Sequence, residues 1–168
     1  MVPPGWEGPL HGLHRTLYGY LMNCFAYLDL LSFYRSRTHN SGGDQTERMV
    51  RFMEVEMGYE PLPSQVAVLM WRHKLMHTAK PRALEGKNTG ESYKWLLHWG
   101  SEHLPREYHM QLQQPKDART LNIGLGFLVD DLVRGAESYF AKVDGSPEAE
   151  ARLAAAYQEV LRPRLFDD

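Results

Sequence analysis

Val66-Ala-Val-Leu-Met-Trp-Arg-His-Lys-Leu-Met-His77 runs six apolar residues straight into an arginine and two histidines. Apolar side chains point in nearly every direction around this segment, so as a helix it is expected to be enclosed by protein. Arg72, His73 and His77 then need partners or a use, because an enclosed ionisable group with neither is costly.

Working outward toward the N-terminus, Leu13, Leu17, Leu21, Cys24, Phe25, Leu28 and Leu31 recur at spacings of three and four. They predict an amphipathic helix from about His11 to Thr38. Asp44 follows the turn-forming His39-Asn-Ser-Gly-Gly and can cap a second helix to about Met57, with Met49, Val50, Phe52 and Met53 on its apolar side. Tyr59-Glu-Pro-Leu-Pro63 is a stiff connector, and Ser64 is a candidate N-cap for the third helix. That helix stops before Lys80-Pro81, because proline disfavours helical geometry in its predecessor. His77 falls in its last turn, where the helix dipole favours cation-capable side chains.

After a polar loop at 81–91 the periodicity changes. Tyr93, Trp95, Leu97 and Trp99 alternate with Lys94, Leu96 and His98, and Tyr108, Met110 and Leu112 alternate with His109, Gln111 and Gln113. Two strands are predicted, joined as an antiparallel hairpin at about 92–114 that sets Trp99 against Tyr108 and His98 against His109. Leu121, Leu125, Leu128, Leu132, Ala136 and Tyr139 predict a fourth helix, with Gly124 and Gly126 allowing close approach to a neighbour. Gly145 ends it and Ser146-Pro147 opens a fifth. The expected fold is mainly α: a single domain over 1–168, a bundle of about five helices with an inserted antiparallel β-hairpin.

Of the 168 residues, 43% are hydrophobic and 24% charged, and the formal net charge of -2 carries no global bias toward nucleic acid. Any RNA contact must therefore come from a local patch. The one cysteine, Cys24, cannot form an internal disulfide, which fits a reducing cytoplasm. The N-terminus has neither the basic start nor the apolar core of a secretion signal, and Asn23, Asp29 and Arg72 interrupt the apolar runs well short of a membrane span. No membrane partner is expected.

Arg72 and His77 form an Arg-x-x-x-x-His pattern near the C-terminal end of an apolar helix that follows two long helices. In this the chain resembles the HEPN family, helical domains of which many members are metal-independent ribonucleases that use such a motif on a late helix of the bundle. The resemblance implies an endoribonuclease acting as a homodimer on an RNA substrate. Arg72 would then steady the scissile phosphate, and His77 would move the proton of the attacking ribose hydroxyl, with His73 assisting. Lys80 and Arg82, close by in sequence, would contact the substrate. The toxin branch of the family has a tyrosine two residues after the histidine; Ala79 stands there, so regulation through that tyrosine is not expected. On a regular α-helix, positions five apart lie about 140° around the axis, so only a long side chain or a partner subunit brings Arg72 into a site with His77.

Two other readings stand beside this one. Arg72 can pair inside the bundle with an acid, of which Asp29 within Ala26-Tyr-Leu-Asp-Leu-Leu31 is the obvious one, while His77 caps its helix; the domain is then a non-catalytic module binding RNA, nucleotide or protein. Alternatively, His73 and His77, one turn apart, make half of a metal site for a hydrolase. Completing that site would fall to His98, His109 or His103, but there is no HExxH pattern or cysteine ligand, so no metal or other cofactor is expected. Tyr93, Trp95, Trp99 and Tyr108 read as a packed hairpin face, with a base-stacking platform as the alternative. Asp130-Asp131 and Glu137 read as a solvated face.

Overall fold

The computed structural model describes residues 7–75, 83–99, 104–114 and 118–162, and their side chains apart from those of 7–17 and 73–75. The chain is mainly helical with a small sheet. Its elements are α1 (Glu7–Thr38), α2 (Gln45–Val55), α3 (Pro61–Leu69) running into a π-helical turn (Met70–Leu75), β1 (Leu84–Glu85), β2 (Ser92–His98), a 3-10 turn (Arg106–Tyr108), β3 (Leu112–Gln113), β4 (Arg119–Gly124), α4 (Leu125–Val143) and α5 (Pro147–Leu161).

Helix α1 is the central rod, packed against α2, α4 and α5. Its residues Leu21, Phe25 and Leu28 are fully buried at the spacing the sequence predicts, meeting Met49, Phe52 and Met53 of α2 in one core. Trp71 stacks flat on Phe25, ring centres 5.5 Å apart, and anchors the π-helical turn to α1. Asp44 caps α2 as expected: its side chain accepts from Glu47 N at 3.0 Å while Glu47 Oε2 accepts from Asp44 N at 3.0 Å. The third helix begins earlier than expected. Pro61, with its fixed φ, takes the first helical position after Glu60, and Ser64 lies inside the helix with its hydroxyl donating to Glu60 O at 2.8 Å.

The strand pairing also differs from expectation. Strand β2 pairs in parallel with β4, from Tyr93 opposite Arg119 to His98 opposite Gly124, and β1 and β3 flank them antiparallel in the order β1-β2-β4-β3. The predicted hairpin partner 108–113 cannot stay extended. Tyr108 closes a 3-10 turn behind Pro105, and Met110 has a left-handed φ of 56°, which no regular strand accommodates. Only Leu112–Gln113 remain as strand. Leu121 and Ile123, both fully buried, lie in β4 rather than at the start of the fourth helix. A four-residue spacing from Leu121 to Leu125 is shared by a helix and by a strand that runs into one, which is why the helix looked longer from the sequence.

Glu56, at the C-terminal end of α2, joins three helices. Its buried carboxylate accepts from Arg35 Nε of α1 at 2.9 Å and from Lys142 Nζ of α4 at 2.6 Å. Burial raises its pKa, but the bonds from Lys142 and Arg35 outweigh that and hold it below the ordinary glutamate value. A group whose folded pKa is depressed stabilises the fold above its unfolded pKa and loses that contribution as pH falls. Glu56→Gln keeps the shape but leaves Arg35, with a side chain 11% exposed, without its counter-charge. Chemical denaturation at neutral pH is expected to show a loss of about 2 kcal/mol that shrinks as the pH is lowered through the carboxylate range; an unchanged midpoint would contradict this.

Candidate functional site

Arg72 sits in the π-helical turn, after the buried Met70 and Trp71. Its guanidinium leaves the enclosed side of the segment and reaches the first turn of α2, where Nη1 donates to Thr46 Oγ1 at 2.5 Å. Asp29 does not take it as a partner: its Oδ2 accepts from Gln45 Nε2 at 2.6 Å, and among the described residues no ion pair joins Asp29 and Arg72. The two side chains end on consecutive residues of α2 instead. Asp29, Gln45 and Arg48 line an open groove of about 740 Å³, together with Phe33 of α1 and Glu159 and Arg162 at the end of α5. The Asp44 carboxyl at the head of α2 is held below its ordinary value, first by the backbone bond from Glu47 and further by the charges of Arg72 and Arg48.

A π-helical turn bonds i to i+5, so it is wider than an α-turn and brings positions five apart toward a common face. That geometry runs from Met70 to Leu75, and the position five beyond Arg72 lies outside the described residues. The side chain of His73, and all of His77, Lys80, Arg82 and His103, lie outside the described residues.

A second ionisable cluster surrounds Asp131, which is buried and not on a solvated face. Asp131 is 2% exposed, on the α4 face that also carries Leu128, Leu132, Gly135 and Tyr139. The buried His109 faces it across Tyr59. Gly124 N donates to His109 Nδ1 at 3.1 Å, so the proton of the neutral ring belongs on Nε2. His109 Nε2–H then donates to Tyr59 Oη at 2.8 Å, and Tyr59 Oη–H donates to Asp131 Oδ2 at 2.5 Å. Arg106 and Arg134 both donate to the other carboxylate oxygen. Burial raises the Asp131 pKa, but His109, Arg106 and Tyr59 together hold the carboxyl well below the usual carboxylate range. Burial, then the bond to Asp131, drives the Tyr59 hydroxyl far above its ordinary value.

This chain of bonds ties the loop after α2, the turn before β3, the end of β4 and α4 to one another. The side chains of His109 and Asp131 are almost wholly enclosed, and the satisfied cluster acts as a structural lock between these elements. Asp130 stays exposed, as a solvated-face residue should, while Asp131, about 100° further round the helix, turns inward. Its spacing from Leu128 and Gly135 was the available signal. His98 pairs with Asn122 at 3.2 Å rather than with His109.

The predicted aromatic row divides. Tyr93 and Trp95 are core, whereas Trp99 is 53% exposed and meets the equally exposed Tyr20 edge-on at 5.8 Å. Among the described residues no three histidine, cysteine or acidic side chains gather as a metal site, and no helix is long and apolar enough to cross a membrane. Comparison with known proteins finds no family model, no curated protein and no solved structure that matches the chain.

Proposed function

We propose that this protein is a HEPN-like, metal-independent endoribonuclease that acts as a homodimer in the cytoplasm. Arg72 seats the scissile phosphate, His77 moves the proton of the attacking ribose hydroxyl with His73 assisting, and Lys80 and Arg82 contact the RNA beyond the cut. The observation that carries this reading is the state of Arg72. Its guanidinium hydrogen-bonds a neutral hydroxyl and, among the described residues, no carboxylate, while its charge acts on the nearby Asp44 carboxyl; the N–H donors that Thr46 does not take can meet the oxygens of a phosphate. Its place in a π-helical turn adds support, because such turns recur at functional sites.

The exposed Tyr20–Trp99 pair favours a second reading, a module that stacks RNA bases without cutting them. Incubating the purified protein with a single-stranded RNA oligonucleotide separates the two. Multiple-turnover cleavage is expected. RNA retained by the protein and recovered intact would favour the module.

A further inference from the structure

Thr46 lies on an unusually well-anchored platform. It is the second residue of α2, and the residues on either side are both held. Gln45 is bonded to Asp29 of α1 at 2.6 Å, and Glu47 closes the capping box with Asp44. Arg48 Nη1, one residue on, donates to Gly43 O at 3.1 Å. The helix turn that carries Thr46 is therefore held by contacts that do not involve Arg72.

A hydroxyl differs from a carboxylate in what it does to a guanidinium. Both orient it, but only the carboxylate cancels its charge. With one Nη–H engaged by Thr46 Oγ1, the remaining N–H donors of the fork can meet the paired oxygens of a phosphate. We infer that Thr46 is the positioning residue for Arg72, presetting the guanidinium to receive a phosphodiester. This rests on the ribonuclease reading above and names a further residue of the same site.

Three substitutions test it. Thr46→Val keeps the shape and removes the acceptor; Thr46→Ser keeps the acceptor; Thr46→Asp keeps an acceptor and adds a charge that competes with phosphate. Steady-state cleavage of a single-stranded RNA is expected to show kcat/KM lowered about 10- to 100-fold in Thr46→Val and restored to near wild type in Thr46→Ser. Binding of a non-cleavable 2′-O-methyl oligonucleotide is expected to weaken by about tenfold or more in Thr46→Asp, since the new carboxylate occupies the guanidinium. A merely structural threonine would instead show parallel losses of activity and thermal stability in Val and Asp, with oligonucleotide binding by the folded fraction unchanged.

If wild-type protein cleaves RNA and His77→Ala does not, yet Thr46→Val matches wild type in kcat/KM, the inference is overturned and the ribonuclease reading stands. If wild type does not cleave, the reading itself fails and this assignment goes with it.

Discussion

His77→Ala is expected to lower kcat for RNA cleavage by about 10²- to 10⁴-fold, the usual contribution of a positioned general acid or base. The circular dichroism spectrum and thermal midpoint should stay close to wild type. The reason lies in the division of labour at the site. On the proposed mechanism Arg72 would bind charge that is present in both substrate and transition state, so its loss should fall on binding as well as rate. An imidazole that takes the proton of the ribose hydroxyl acts only as the reaction proceeds, so its loss falls on kcat. An alanine variant that cleaves like wild type would remove His77 from the chemistry. A variant that loses activity only because it unfolds would show that the histidine caps the helix, the alternative the sequence leaves open.

Asp131→Ala is expected to be the most destabilising single change in the described core, by about 3–4 kcal/mol, because it strips the shared acceptor from two arginines and from the buried Tyr59–His109 pair. For a chain of this length that corresponds to a fall of roughly 10 °C in the thermal midpoint. Tyr59→Phe breaks one link only and should cost about 1–2 kcal/mol. The pH dependence provides a second check. The carboxyl of Asp131 is depressed in the folded state, so its contribution is complete above the unfolded aspartate pKa of about 3.9 and is lost as the pH falls through that range toward the folded value. Asp131→Asn should therefore flatten the acid limb of the stability profile. A variant profile parallel to wild type from pH 7 to pH 3 would show that the cluster carries no linked proton.

The helices were legible because each carries its own periodicity. Leu21, Phe25 and Leu28, the Asp44–Glu47 capping box and the Ser146–Pro147 start all stand where local rules place them. The sheet was half legible: Tyr93 to His98 is a strand, but its partner is set by long-range packing. Alternation alone cannot tell a hairpin from a parallel pair, and the left-handed Met110 that disqualifies 108–113 leaves no mark in residue type. The same limit explains the site. Arg72 was found because a charge in an apolar run is conspicuous, whereas its contact with Thr46 depends on how α3 docks on α2. Asp131 reads as solvated from the sequence because its neighbour Asp130 is exposed, and adjacency hides the buried stripe on which Asp131 lies.

The most direct test of the proposed chemistry is the identity of the ends it leaves. Attack by the ribose hydroxyl on the adjacent phosphorus breaks the bond to the 5′ oxygen, so the purified protein, treated with chelator, is expected to leave a 2′,3′-cyclic phosphate on one fragment and a 5′ hydroxyl on the other. A single 2′-deoxy substitution at the scissile nucleotide should block that cut. Cleavage that persists at the deoxy position, or that leaves a 5′ phosphate and vanishes with chelator, would contradict a role for Arg72 and His77 in ribose-hydroxyl attack.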